Sequence, residues 1–202
     1  MSKNNLEMPE KKLAIFEAAI NLIAEHGFHN SPTARIAEEA GIGIGTLYRY
    51  FKSKEQLINE LFQYVEEEMN RYITEGHNPE SPVREQFFQL CQKYIHFSLE
   101  NQKAFNFFNQ YIDSPYGATL RTYKRSRDGD NIPSNTLLYP FYGVFNTARK
   151  QNRIKNLPNA LLFTLIEGSI SNFVRDVLIG LIDYNDTIEA KVVEACWDMI
   201  KV

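Results

Sequence analysis

Basic residues gather in one short stretch of a chain that is acidic as a whole. Arg35, Arg49, Lys52 and Lys54 lie within residues 31–54 against only Glu38 and Glu39, while the full chain carries a net charge of −3. Bulk charge gives no sign of a polyanionic partner, so any nucleic-acid binding must rest on a local patch. Binding through so modest a local excess would be salt-sensitive without being strongly non-specific. The same stretch has the spacing of a helix-turn-helix. Such a unit needs a small residue where two helices touch, a Gly where the turn goes left-handed, and apolar residues to bury it. Ala37, Gly41 four residues on, and Leu47 six further on meet those needs, with Ile36, Ala40 and Ile42 supplying the other apolar contacts. On spacing alone, any Ala-rich helix pair with a Gly turn looks like this, so DNA binding and plain packing both stay open.

Other chemistries find little support. His26, His29, His77 and His96 form no metal-ligand pattern, and no Ser/His/Asp or Cys/His arrangement has a recognisable context. The run Gly41-Ile42-Gly43-Ile44-Gly45 is Gly-rich, but it follows a helix rather than the strand that precedes a phosphate-binding loop. Cys91 and Cys196 lie far apart in sequence and read as free thiols of a reducing cytosol. No enzyme activity, metal or cofactor is expected.

The elements that must position residues 31–54 are helical. Leu13, Phe16, Ala19, Ile20 and Ile23 follow the three-to-four spacing of an amphipathic helix that stops at His26-Gly27. Ser31 is placed to cap a second helix with Pro32 at its first position, and Gly41 ends it. A third short helix runs from Ile44 to Phe51. Ser53, with Gln56 three residues on, forms a capping-box start for a long helix reaching towards Ile73, and Glu55 sits favourably near its positive end. Residues 76–82 read as a loop. Further helices are expected over 83–99, 102–112, 134–150, 159–182 and 186–200, the last with Asp186 as cap and Glu189 three on. The segment 114–133, with Pro115, Gly117, Gly129 and four basic residues (Arg121, Lys124, Arg125, Arg127), is the least regular. The expected fold is all-α.

Length and composition agree with this. A chain of 202 residues, 44% hydrophobic and 23% charged, can bury a core without disulfide or metal staples. The N-terminus carries Glu7, Glu10, Lys11 and Lys12 and has no signal-peptide core. The most apolar stretch, 156–174, is broken by Pro158 and Glu167 and is too short to span a membrane. A cytoplasmic location with no membrane partner is expected.

From Ile36 to Glu55 the sequence reads IAEEAGIGIGTLYRYFKSKE. This resembles the signature of the TetR (tetracycline-repressor-like) family of bacterial regulators, roughly IA..AGVS.GTLY.YF.SKE; Ala18-Ala19 and Gly27-Phe28 also fit. The resemblance covers about the first 55 residues. It implies a three-helix DNA-binding domain over 1–53 and a larger helical domain over 54–202 for effector binding and dimerisation. The helix Ile44 to Tyr50 would be the recognition helix in the major groove. Thr46, Tyr48, Tyr50 and Lys54 match positions that hold the DNA backbone, and hydroxyls and an ammonium suit phosphate. Thr33 would donate to phosphate beside the start of the second helix. Pro32 stands where Thr is common, leaving that work to Ser31 and Thr33, and Arg35 adds charge. Ile44, Gly45 and Arg49 fall where family members contact bases or vary. Arg49 suits guanine or phosphate, and Ile44 a thymine methyl. Gly43 replaces the usual Ser cap. Core packing is the competing use of Tyr48 and Tyr50.

Between Phe87 and Phe145 lie eight Phe and six Tyr. Most must fill a helical core. The resemblance implies that some enclose a small-molecule effector, and aromatics with few interleaved charges suit an apolar or aromatic one. The candidates are Phe88, Tyr94, Phe105, Phe108, Tyr111, Tyr139, Tyr142 and Phe163, with His96 and Asn109 as hydrogen-bonding partners. On the last two helices, Ile166, Ile170, Phe173, Val177, Val192 and Met199 form apolar stripes. The resemblance implies that they pair as a homodimer interface on a palindromic double-stranded DNA operator. The expected function is a repressor released by its effector. The alternative is a DNA-binding protein of this fold governed by a protein partner.

Overall fold

The computed structural model describes residues 9–117, 134 and 136–202, and these hold nine α-helices and no strand. They are α1 (Glu10–His26), α2 (Thr33–Glu39), α3 (Ile44–Tyr50), α4 (Lys54–Thr74), α5 (Val83–Glu100), α6 (Gln102–Asp113), α7 (Leu138–Lys150), α8 (Asn159–Leu178) and α9 (Asp186–Ile200). A short 3-10 turn follows α6 at Pro115–Gly117. Residues 118–133, with Arg121, Lys124, Arg125 and Arg127, lie outside the described residues.

The chain divides into two compact units. The first comprises residues up to Tyr64 together with Lys103–Ala118, and the second Val65–Gln102 together with Thr119–Val202.

In the first unit, Phe16, Ile23, Ile36, Leu47 and Phe51 are fully or almost fully buried. Each such side chain contributes on the order of 1.5–3 kcal/mol by leaving water. Packing here reaches past residue 53, because α4 offers Leu57, Ile58, Leu61 and Phe62 on one face. Phe62 stacks on Tyr111 and Phe108 of α6, with ring centroids 4.0 and 5.2 Å apart. The α2–α3 turn is a Schellman cap: Gly41 N–H donates to Glu38 O at 3.0 Å and Ile42 N–H to Ala37 O at 2.9 Å. Gly41 supplies the left-handed residue, at φ +66°. The capping box of α4 forms, with Ser53 Oγ accepting from Gln56 N–H at 3.1 Å. The Gln56 side chain reaches back to Lys52 N–H at 2.8 Å.

Ser31 is not the cap of α2. Pro32 holds that position, and the Ser31 hydroxyl turns back to donate to Gly27 O at 2.8 Å.

The second unit is built from α5, α7, α8, α9 and the end of α4. Phe87, Leu90, Phe141, Phe145, Ile166, Ile170 and Val193 are fully buried. Phe141 meets Phe163 edge-on at 5.4 Å, and Phe87 lies 5.2 Å from Trp197. Two boundaries and one cap differ from expectation, and the first is the start of α7, at Leu138 rather than 134. Helix α8 ends at Leu178 rather than 182, because Gly180 at φ +75° closes a second Schellman cap, with Leu181 N–H on Asp176 O at 2.8 Å. Helix α9 is capped by Asn185, whose side chain accepts from Ile188 N–H at 3.1 Å, not by Asp186. Glu189 is therefore free of capping. It is buried, and it accepts from Tyr184 Oη and pairs with His96 at 2.8 Å.

Candidate nucleic-acid interface

Helix α3 is fixed from behind by Leu47, which is wholly buried. One face inward on a 3.6-residue period leaves the pairs 44/48 and 45/49 on the outside. Ile44 is 42% exposed and Tyr48 49%, and Gly45 and Arg49 are exposed beside them. The core thus leaves both of these large side chains uncovered. Gly43 caps the helix in extended conformation, without a side-chain bond. A Cβ built at Gly43 or Gly45 meets nothing within 4 Å, so both present bare backbone outward.

The polar candidates take distinct positions. The Thr33 and Tyr48 hydroxyls lie 3.1 Å apart, linking the first turn of α2 to α3. Thr46 and Tyr50 are half-buried. Arg35 is exposed, and its Nη2 donates to His26 Nε2 at 3.2 Å. The half-buried Lys54 ammonium donates to the Phe28 carbonyl, and burial pulls its pKa below the usual lysine value. Ser31 is fully buried, so its hydroxyl is committed to α1 and stands away from any surface. The sequence showed none of these tethers; all but the local Ser31–Gly27 bond join residues nine or more apart, beyond the reach of helical spacing.

The proposed effector residues do not form one set. Phe105, Phe108 and Tyr111 belong to the first unit, where all three are buried; Tyr111 Oη donates to Asn59 Oδ1 at 2.9 Å. Asn109, on the same helix, donates to Phe105 O at 3.1 Å. Phe88, Tyr94, Tyr139, Tyr142 and Phe163 belong to the second unit. Tyr94 is a core residue whose hydroxyl lies 3.1 Å from Ser171 Oγ and 3.4 Å from Glu167 Oε1; burial pushes its phenol well up. Phe88 carries the Arg84 guanidinium 4.2 Å from its ring centroid. Only Tyr139 and Tyr142 line the cleft of about 450 Å³ in this unit. His96 is engaged with Glu189.

Of the six residues assigned to an interface, Ile166, Ile170 and Phe173 are buried within the chain itself. Val177, Val192 and Met199 are half-buried. The outward apolar positions of α8 are Leu161 and Leu165, at 44% and 37% exposure. Both stripes are apolar in sequence, and only packing shows which one the core consumes.

A long helix followed by two short ones, ending in an anchored, outward-facing α3, defines a helix-turn-helix DNA-binding regulator, joined here to a larger helical unit. The chain belongs to the TetR family: residues 15–61 match the bacterial regulatory proteins of the tetR family, and residues 82–201 the tetracyclin repressor-like C-terminal domain. It is a transcription regulator, not an enzyme. The fatty acid metabolism regulator protein of Bacillus subtilis is 37% identical over 92 residues, 44% of this chain and 45% of that protein. The match thus spans less than half of that relative. An uncharacterized HTH-type transcriptional regulator of Haemophilus influenzae is 24% identical over 93% of this chain and 94% of its own length. In fold, a TetR family transcription regulator from Marinobacter aquaeolei superposes with a TM-score of 0.82 at 22% identity, covering 95% of this chain and 96% of that one. Among the described residues, no helix is long and apolar enough to cross a membrane.

Proposed function

We propose that the protein is a repressor that binds a palindromic operator as a homodimer and leaves it when a small effector binds the larger domain. The observation that carries the DNA half is the outward face of α3, where Ile44, Gly45, Tyr48 and Arg49 surround a buried Leu47. Ile44 and Arg49 read base edges, while Thr33, Thr46, Tyr48, Tyr50, Arg35 and Lys54 hold phosphates. A dimer through the exposed side of α8 and α9 sets two recognition helices about 34 Å apart, one turn of DNA. The division at residue 53 is then one of labour, with the DNA contacts before it except for Lys54, the first residue of α4, and effector and dimer contacts after it. Helix α4 gives residues 54–64 to the first unit and 65–74 to the second, so it is the element through which an effector reaches α3. The effector must prefer one conformation over the other, and coupling of about 1–3 kcal/mol suffices.

Selection of bound DNA from a random pool, with wild type and Tyr48→Ala in parallel at about 0.15 M salt, tests the DNA half. A palindromic consensus lost in the variant is the expected result. No enriched sequence would make the helix-turn-helix a packing unit. Operator affinity that no small molecule alters would leave control to a protein partner.

A further inference from the structure

The cleft of about 450 Å³ in the second unit lies among the end of α4, the loop after it, the first turn of α5 and one face of α7. Clefts of roughly 300–1,000 Å³ are the usual size for small-molecule sites. Its walls are set before any ligand arrives. Both hydrogens of the Gln86 amide are spent on the loop, on Pro79 O at 2.8 Å and Ser81 O at 2.7 Å. Asn146 Oδ1 accepts from Arg149 at 3.1 Å and from Asn159 at 2.9 Å.

Three features define what the cleft can hold. First, no Asp, Glu, Lys or Arg is among its described lining residues, so a charged ligand would lose its hydration without gaining a counter-ion. Second, Tyr139 is half exposed and is an aromatic member of the lining. Third, His77 Nδ1 is buried without a hydrogen-bond partner in the protein. An orphaned nitrogen costs about 1–3 kcal/mol, which a ligand group recovers when the imidazole turns this covered atom into the cleft. A hydroxyl can donate to a bare ring nitrogen or accept from a protonated one, so it fits His77 in either tautomer. Thr74 and Thr147 spend their hydroxyl hydrogens on Asn70 O and Gly143 O, leaving only acceptor lone pairs to the cleft. They too favour a ligand that donates.

We propose that this cleft binds an uncharged, hydroxyl-bearing aromatic compound, with its ring against Tyr139 and its hydroxyl on His77 Nδ1. Only its effect on DNA rests on the effector reading above; the site itself does not. The test uses the full chain and 2-naphthol as probe, with 2-naphthoate as the anionic control, in calorimetric titrations. Two substitutions address the site. His77→Leu removes the orphaned nitrogen. Gly143→Phe fills the cleft from α7, where an added Cβ meets nothing within 4 Å and the backbone is ordinary helix. Unchanged circular dichroism shows that both variants fold. Wild type should bind 2-naphthol about tenfold or more tighter than 2-naphthoate, and each variant should weaken 2-naphthol binding about tenfold. Equal binding by all three proteins, tighter binding of the anion, or no binding by wild type at millimolar probe overturns the proposal. Site-specific binding that leaves operator affinity unchanged upholds the site and removes the effector reading instead.

Discussion

The hydroxyl oxygens of Thr33 and Tyr48 stand 3.1 Å apart although fifteen residues separate them in sequence. One lies in the first turn of α2 and the other in the middle of α3, so the pair ties together the two helices proposed to meet the same stretch of DNA backbone. Two hydroxyls held together in this way accept and donate as a unit, and both can turn towards a phosphate oxygen without moving the backbone.

Tyr48→Phe removes that contact and nothing else of the ring. Because Tyr48 is half exposed, the melting temperature should hardly move, the change being within about 0.5 kcal/mol. Operator affinity should fall about tenfold, the value of a hydrogen bond to a charged acceptor. A thermal melt checks the first point, and fluorescence anisotropy across a salt series the second. The slope against salt should be unchanged, since no cation is lost. A variant that binds as tightly as wild type would place Tyr48 outside the interface.

The two glycines around the turn should respond in opposite ways. Gly41→Ala puts a Cβ on a residue at φ +66° where no neighbour lies within 4 Å, so the cost is backbone alone, about 1–2 kcal/mol. Gly43→Ser, at φ −70°, carries no strain and adds a capping hydroxyl worth a few tenths of a kcal/mol. Thermal melts of the two variants should move in opposite directions. A neutral Gly41→Ala would mean that the turn tolerates another conformation.

On α8, neighbouring leucine and isoleucine positions separate association from folding. Leu165→Glu places a charge on the outward face and should shift the protein to monomer in sedimentation experiments while its helical spectrum persists. Ile166→Ala, one residue on, opens a cavity in a fully buried position and should cost about 2–5 kcal/mol. If Leu165→Glu leaves the oligomeric state unaltered, the interface lies elsewhere.

Two carboxylates make the first unit sensitive to acid. Burial pushes the Glu60 carboxyl up, but the Lys12 ammonium at 2.8 Å and the Gln56 amide bring it net below the usual 4.5. The Lys103 hydrogen bond and charge at 3.0 Å lower Glu25 as well, against a smaller opposing effect of burial. A folded pKa below the unfolded one gives stability that is present above pH 4.5 and lost as pH falls through the folded value. Urea midpoints should therefore drop below about pH 4.5. Lys12→Met should flatten part of that slope, at a cost near neutrality of at most about 1 kcal/mol for a partly exposed pair. An unaltered slope would assign the acid sensitivity to other groups.

What the sequence determined by itself is the local part. The apolar period of α1, the Gly41 turn, the Ser53–Gln56 cap and the anchoring Leu47 are all written within a few residues of one another. Local hydrogen bonds and the 3.6-residue repeat act over that range, so the helix-turn-helix was legible before any coordinates. Tertiary structure decided the rest. Ser31 has the right type for a cap, yet its hydroxyl goes to Gly27, because Pro32 takes the capping position and the turn folds back on α1. Ile166 and Leu165 are equally apolar, and only the packing of α8 shows that the first is core and the second surface. The aromatics read as one pocket were divided between two units, since a Phe or Tyr fills a core or lines a cleft with the same side chain. His77 drew attention in the sequence only as a residue outside any metal pattern. Its buried, unpartnered nitrogen is a property of the neighbours the fold brings around it, and no spacing along the chain could encode that.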